Sequence, residues 1–439
     1  MRTRLAVIAA SAAIVMSGLS LLPASVAGAK SALWVSNSVA VGNNSSCSSP
    51  GYNTVSAALT AATSGALIEV CGGGGPYVEQ LTITKPVTLT SVGNVTLQLP
   101  SVPADNNDTC DNAVTAAGYQ APQDEVSICV SSGTVTLNSI TVSAYWPAGT
   151  CYDSEYGVFV GKGNLVANGL TVSGAGVPIG DSAVGCQGGV AVQVGSARPS
   201  PNLAATATLK GVAVSGYQKN GLTTTGFGST MTVTGATVVG RGPVGTAENG
   251  IEVAFGAKGV IRSATVSGDQ CQLPGVCGPD AQNDTQASGV LFYGAAPGSS
   301  LSKSTISGND MGVYYGSTAA TEPGTPEVTI SGNHFSGGGA YEQVELDQGV
   351  ATISHNVIDG SGNAGIQVLQ YGSQSYAPAE VAKSDTISGQ GIGVQVYSDQ
   401  AASDPAGVFN ISKSHFLTTN TVPESDNSNN YVIQGSQNH

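Results

Sequence analysis

Charge is scarce in this 439-residue chain: 10% of its residues are Asp, Glu, Lys or Arg, and aromatics supply only 5%. A disordered chain combines high net charge with few apolar residues, and that class is excluded because 41% of the chain is hydrophobic. Basic residues are the scarcest charge, 14 against 28 acidic, for a net charge of −14. That balance argues against nucleic acid and anionic membrane surfaces, which need basic patches. Histidine occurs four times and no CxxC pair accompanies it, so the usual zinc patterns are missing. Glycine is abundant, at 60 residues, and with Ser, Thr, Ala and Val it suits many short strands joined by tight turns.

The first residues read differently from the rest. Arg2 and Arg4 precede an apolar run from Leu5 to Met16, and small residues follow to Ala27-Gly28-Ala29. This order predicts a secretory signal peptide over residues 1–29, cut after Ala29. The run is short for a bilayer span, and Ser17, Gly18 and Pro23 interrupt its extension. No later stretch is apolar enough to cross a membrane, so no membrane insertion is expected after cleavage. Taking Arg2 and Arg4 from 14 basic residues leaves 12 against 28 acidic, a net charge near −16. The expected localisation is extracellular. All eight cysteines lie beyond the cleavage site, and an even count in an exported chain favours disulfides. Sequential pairing is expected: Cys47–Cys71, Cys110–Cys129, Cys151–Cys186 and Cys271–Cys277. The last closes a short loop through Pro274-Gly275.

One phrase repeats along the chain: an apolar residue, four mostly small or polar residues, a second apolar residue, and usually Gly two positions later. It runs Leu137 to Val142, Ala167 to Val172, Leu209 to Val214, Val233 to Val238 and Ile261 to Val266. It continues Leu301 to Ile306, Ile330 to Phe335, Ile353 to Ile358, Ala382 to Ile387 and Ile411 to Phe416. Successive starts are 30, 42, 24, 28, 40, 29, 23, 29 and 29 residues apart. Such a period signals stacked units that bury apolar sides against their neighbours. A second series runs beside it, announced by Gly-Val or Gly-Ile: Gly157-Val-Phe-Val160, Gly189-Val-Ala-Val192, Gly250-Ile-Glu-Val253 and later equivalents. Two short strand series per repeat give coils, whereas a propeller needs four strands over about 40–45 residues.

The opening of the mature chain adds a more specific signal. Tyr52 to Ala62 reads as a short amphipathic helix with Val55, Ala58, Leu59 and Ala62 on one face. Strand-like Ala66–Val70, Leu81–Ile83 and Val87–Leu89 follow, with Gly75-Pro-Tyr77-Val-Glu79 and Lys85-Pro86 between them. This run resembles the opening motif of the pectin-lyase-like superfamily of right-handed parallel β-helices. The resemblance implies an all-β parallel β-helix solenoid with an N-terminal capping helix, in a superfamily where many members act on or bind polysaccharides. One domain is expected over residues 30–420, with a polar tail at 421–439 in which Tyr431–Ile433 can add a last strand. Longer intervals mark insertions at Pro178–Cys186, Arg198–Ala204, Asp269–Ala287, Ala319–Pro326 and Gln370–Pro378.

Strand alternation turns the residue between the two valines of each Gly-Val-x-Val outward. The outward row is then Phe159, Ala191, Thr223, Glu252, Leu291, Tyr314, Glu345, Gln367 and Gln395, extended by Asp347 and Tyr397 two positions along. Tyr offers an apolar face with a hydroxyl, and Gln and Glu offer directional hydrogen bonds, groups that suit sugar rings. The substrate-binding candidates are accordingly Tyr314, Glu345, Gln367, Gln395, Tyr397 and Glu252. A solvated sheet face has the same polarity. Glu345 and Asp347, two apart on one strand, stand roughly 7 Å apart on one face, within the carboxyl spacing of about 6.5–9.5 Å that an inverting glycosidase uses. They are the catalytic candidates.

Against catalysis stands the lack of recognised signatures. The superfamily's lyases pair calcium-binding acids with a Lys or Arg base, and its esterases pair two Asp with an Arg. Only Arg198, Arg241 and Arg262 remain in the mature chain, and none sits in such a motif. Asn-Thr-Asp, Asp-Asp and Gly-His-Gly are also missing. No cofactor is expected, except that Asp105, Asp108 and Asp111 offer oxygen ligands to calcium. His334 and His415 share one place in the phrase, a structural turn position. Ser304, Asn333, Asn356, Asp385 and Ser414 form an aligned column able to hydrogen-bond as a ladder. The expected function is non-catalytic binding of a polysaccharide or cell-surface glycan. A polysaccharide lyase or glycoside hydrolase, and a structural surface spacer, are the alternatives.

Overall fold

The repeated phrase is a corner. Its first apolar residue ends a strand of one sheet, its second lies in a strand of another, and the residues between turn the chain through a fixed angle. Equivalent residues then stack from coil to coil. Leu89, Leu137, Ala167, Leu209, Val233, Ile261 and Leu301 are successive register partners in the first sheet. Leu97, Val142, Val172, Val214, Val238, Val266, Ile306, Phe335, Ile358, Ile387 and Phe416 are partners in another. These columns are buried and belong to one continuous core, against which Phe416 packs from its edge.

The computed structural model describes residues 31–104, 110, 125–146, 155–177, 188–197, 203–278, 285–316, 328–337, 342–347, 351–360, 362–370, 379–398, 407–417, 424–425 and 431–436. The expected signal segment, Cys151, Cys186, the acids Asp105, Asp108 and Asp111, and most of the expected insertions lie outside them. Residues 32–439 form one compact unit. The strands fall into three parallel sheets of 14, 12 and 12 strands. We call them sheets 1, 2 and 3. Each coil visits sheet 2, then sheet 1, then sheet 3, as in Asn249–Ala254, Lys258–Arg262 and Thr265–Cys271. Parallel connections of this kind are right-handed in nearly all proteins.

All ten corners share one backbone device. The residue two positions into the phrase has positive φ: Ser139, Gly169, Gly211, Gly235, Ser263, Lys303, Gly332, His355, Ser384 and Lys413, between 53° and 67°. Only four are glycine, so six side-chain-bearing residues hold a left-handed conformation that costs about 1–2 kcal/mol each. The next position is buried throughout, and its chemistry changes along the column. Ile140, Leu170, Val212, Ala236 and Ala264 are apolar, whereas Ser304, Asn333, Asn356, Asp385 and Ser414 are polar.

The polar half is the expected ladder. Asn333 donates its backbone N–H and Nδ2 to Asn356 Oδ1 at 2.9 and 3.0 Å. Asn356 repeats both bonds to Asp385 Oδ1 at 2.6 and 2.8 Å. Asp385 Oδ2 also accepts from Lys383 N at 2.6 Å. Each buried amide is thereby satisfied by the coil above or below it.

The capping helix spans Val55–Ala61, shorter than the expected Tyr52 to Ala62, because Thr54 is extended and caps it through a bond from Ala57 N. Glu79 accepts from Val55 N and Ser56 N, both at 2.9 Å, at its N-terminus. Lys85 Nζ donates to Ala62 O at 2.7 Å at the other end. A carboxylate and an ammonium thus complement the two poles of the helix dipole. Val55, Ala58, Leu59 and Ala62 are buried as the periodicity predicts.

Three strands escaped the sequence reading or were left open. Leu33–Val35 opens sheet 1 beside Ala66–Cys71. Glu424–Ser425 and Tyr431–Ser436 extend sheets 2 and 1 at the far end. Disulfides join Cys47–Cys71, Cys110–Cys129 and Cys271–Cys277, with Cα atoms 5.6, 5.8 and 5.5 Å apart.

Candidate functional site

Sheet 2 carries the polar row. Its register partners run Cys129, Phe159, Gln193, Thr223, Glu252, Leu291, Tyr314, Glu345, Gln367 and Gln395. Ala191 is corrected: Gln193 takes its place, and Ala191 lies in the core. The cause is a break in alternation. Pairing passes over Gly157 and Ala191, which join Tyr156 to Val190 and Val158 to Val192 on either side. The glycine of Gly-Val marks this break, because a Cβ at Gly250 would lie 2.4 Å from Val266 Cγ1 and 2.6 Å from Gly289 O. A second row, Thr225, Ala254, Tyr293, Gly316, Asp347, Leu369 and Tyr397, runs alongside. Tyr397 is placed by its backbone alone.

The row is not the solvated face that alternation suggests. Phe159, Thr223 and Glu345 are buried, Glu345 at 1% exposure, while Glu252, Leu291, Tyr314 and Gln367 are half-buried. Burial, then the nearby Glu342 and Asp347, pushes the Glu345 carboxyl up to about 8. It therefore holds its proton at neutral pH. Burial also raises Asp347, opposed by a bond from Tyr314 Oη to Asp347 Oδ2 of 2.9 Å. The same carboxylate and burial keep the Tyr314 phenol protonated. Glu345 Oε2, Asp347 Oδ1 and Gln367 Oε1 are buried without a hydrogen-bond partner. Asn220 Nδ2 donates to Glu252 Oε2 at 2.5 Å. Burial raises the Glu252 carboxyl, opposed first by the charge of Lys219. Among the described residues no group of three or more His, Cys, Asp or Glu could hold a metal ion.

A cavity of about 280 Å³ opens beside this row, walled by Lys219, Asn249, Ser288, Leu291, Tyr293 and Tyr314 among others. Asn220, Asn249 and Ser288 occupy one register position on three consecutive strands. They bond in series, Asn249 Nδ2 to Asn220 Oδ1 at 3.0 Å and Ser288 Oγ to Asn249 Oδ1 at 2.7 Å. Lys219 Nζ donates to Ala247 O at 2.6 Å, and burial lowers its pKa against the pull of Glu252 and Glu248.

A buried acidic network adjoins the strands that frame this cavity. Tyr217 Oη donates to Asp269 Oδ1 at 2.5 Å, and Arg241 N donates to Glu248 Oε2 at 3.0 Å. Burial, then Asp269, pushes Glu248 up to about 9, and burial raises Asp269. A further groove of about 400 Å³ lies between the capping helix and Leu81–Ile83, far along the column from the polar row.

Of the predicted site residues, Tyr314, Glu345 and Asp347 come together around one hydrogen bond, and Glu252 stands near Lys219. Gln367 and Gln395 continue the row away from the cavity. Sequence reasoning missed Lys219, Asn249 and Ser288. For Asn249 and Ser288 the signal was a polar residue immediately before Gly250 and Gly289, as Asn220 stands before Gly221; Lys219 lies one position earlier and had none.

A family model described as a right-handed β-helix region matches residues 200–379. With three parallel sheets built from stacked coils, this makes the chain a right-handed parallel β-helix. Similar solved structures include pectate lyase Pel9A, 14% identical over 93% of this chain and 80% of that one, with a TM-score of 0.43. A mutant of the periplasmic alginate epimerase AlgG is 12% identical over 85% and 76%, with a TM-score of 0.38. XylC in complex with xylose is 8% identical over 88% and 74%, with a TM-score of 0.37. No curated protein matches the chain in sequence. Among the described residues no helix is long and apolar enough to cross a membrane.

Proposed function

We propose that the protein is exported and binds carbohydrate in the cavity between Lys219 and Tyr314. The observation that carries this reading is the cavity itself: aromatic faces from Tyr293 and Tyr314 stand with donors and acceptors from Lys219, Asn249 and Ser288. Sugar rings need that combination, apolar faces for their C–H surfaces and directional groups for their hydroxyls. Tyr314 is held in place by Asp347, so little ordering is needed on binding. The three disulfides suit an oxidising compartment, and removal of residues 1–29 belongs to the same proposal.

The test is a glycan array followed by calorimetry on each hit. Tyr314→Ala is expected to weaken binding about tenfold to a hundredfold, the range of a lost aromatic anchor. Unchanged affinity in that variant would refute the cavity as the site.

One observation favours a second, enzymatic reading. A cavity amine with lowered pKa, Lys219, and a protonated phenol, Tyr314, line the same space. Such a pair can take a proton from a sugar carbon and give one to the departing oxygen as the C–O bond breaks, the two transfers that a lyase requires. Binding ranks first because Glu345, a proton-holding carboxyl of the row, is 1% exposed. Product carrying a new double bond, abolished by Lys219→Met, would establish the enzyme.

A further inference from the structure

The turns from sheet 2 to sheet 1 carry an exposed aromatic strip. Phe227 is 80% exposed, Phe255 47% and Tyr293 38%, on three consecutive coils. Phe255 and Tyr293 meet edge to face with centroids 5.5 Å apart. Phe227 lies across the next turn, since a Cβ on Gly256 would come within 3.3 Å of Phe227 Cδ2. Tyr293 then joins the strip to the cavity wall, and its ring flanks Gly316 together with Tyr314.

Phe255 is the telling residue. Continuing the register from Thr225, Ala254 and Tyr293, it is equivalent to Gly226 and Gly294. All three have positive φ, 91°, 53° and 57°. Glycine holds this turn on either side, whereas here a bulky ring occupies a conformation that L side chains disfavour. The ring's packing is its edge-to-face contact with Tyr293, and 47% of the residue stays exposed. A local rule broken for an aromatic left this open points to a functional position.

We propose that Phe227, Phe255 and Tyr293 form a stacking track for an extended neutral glycan whose end sugar occupies the cavity. This rests on the carbohydrate reading of that cavity. The rings advance by one coil, about 4.8 Å, per step along the column. A chain of equatorially linked pyranoses presents one flat C–H face per residue at a comparable step, and because Phe255 stands edge-on to Tyr293 the chain twists between them to lay a face on each ring. Neutral chains fit better than polyuronates. Asp347 continues the wall beyond Tyr314, and the whole chain carries −14, so anionic sugars meet repulsion.

The experiment titrates the full protein with glucose, cellobiose and longer cello-oligosaccharides, the xylo-oligosaccharide series, and oligogalacturonates. Affinity is expected to rise with length in a neutral series and to stay low for oligogalacturonates. Phe255→Gly and Phe227→Ala are each expected to cut long-chain affinity about threefold to tenfold while leaving the shortest bound sugar unaffected. Phe255→Gly is also expected to raise the thermal midpoint, because it relieves the turn. Failure of every glycan to bind the wild type would bring down the cavity reading and this one together. Binding that does not grow with length, or growth that survives both substitutions, would overturn the track alone. A fall in thermal midpoint in Phe255→Gly would make the ring a structural anchor, and a dimer lost in Phe227→Ala would make the strip an interface between copies. Either would overturn the proposal.

Discussion

Replacing the corner glycines isolates the backbone term of this fold. Gly211, Gly235 and Gly332 have φ of 57°, 67° and 65°, and an added Cβ would meet nothing within 4 Å. An Ala at any of them creates no clash, so its whole effect is conformational. The left-handed region costs an L residue about 1–2 kcal/mol. The restricted unfolded chain of Ala returns roughly 0.4–1 kcal/mol. The expected net loss is about 1 kcal/mol per site, and about 3 kcal/mol for the triple variant, a large share of an ordinary net stability of about 5–15 kcal/mol. The converse holds at the exposed corners Lys303 and Lys413, with φ of 53° and 56°. There Lys→Gly relieves the same strain and loses about 0.5–1 kcal/mol to chain entropy, for a gain of about 0.5 kcal/mol each. Coils stabilise their neighbours in sequence, so urea unfolding should be read by circular dichroism and by hydrogen exchange at the altered corner. Neutral Ala variants, or Lys→Gly variants as destabilised as the Ala ones, would refute the claim that the corners are strained.

Three further outcomes follow from described contacts. Asn356→Ala orphans Asn333 N–H and strips Asp385 of its side-chain donor while keeping the backbone one, so a loss of about 2–4 kcal/mol is expected from buried unpaired groups, with exchange accelerated first around His334–Ser336. A mild shift below 1 kcal/mol would show the ladder to be ornamental. Stability should also be greatest in acid. Glu345 and Glu248 hold protons to about 8 and about 9 when folded, whereas unfolded they release them near 4.5. Their contribution is therefore complete below that value and declines until pH passes the folded values. Urea midpoints at pH 5 and pH 9 test this, and Glu345→Gln should flatten the decline; a midpoint that rises with pH would contradict it. Finally, Glu79→Ala removes three acceptor contacts from the start of the capping helix and should cost about 1–2 kcal/mol, read as faster exchange at Val55 and Ser56 with the later coils unaffected.

The corners were legible because an apolar pair five positions apart can serve both sheets only if the chain turns between them. Leu137 with Val142 and Ile261 with Val266 needed no further context. Their left-handed residue was not legible: Ser, Lys and His replace Gly at six corners, and short-range preference does not foresee them. Gly189-Val-Ala-Val192 misled for a different reason. It has the marker's spelling, but the coil places Gln193 in the row, two residues later. Tyr314, Glu345 and Asp347 were found by alternation, which fixes direction and says nothing of burial. Burial depends on what other coils place nearby, and so the raised carboxyl of Glu345 was invisible. Lys219 and Glu248 sit just before sheet 2 strands, where coil length varies and no period guides the eye. Leu33–Val35 is too short to show a pattern at all.

The change in the buried corner column also governs how such a protein can grow. Where Ile140 through Ala264 are interchangeable oily plugs, a duplicated turn would find equally good neighbours on both sides. From Ser304 to Ser414 every amide is addressed to a particular acceptor, ending in the carboxylate of Asp385. A coil inserted there would have to bring the right side chain or leave two partners stranded, so lengthening by duplication is tolerated in the first half of the column and resisted in the second.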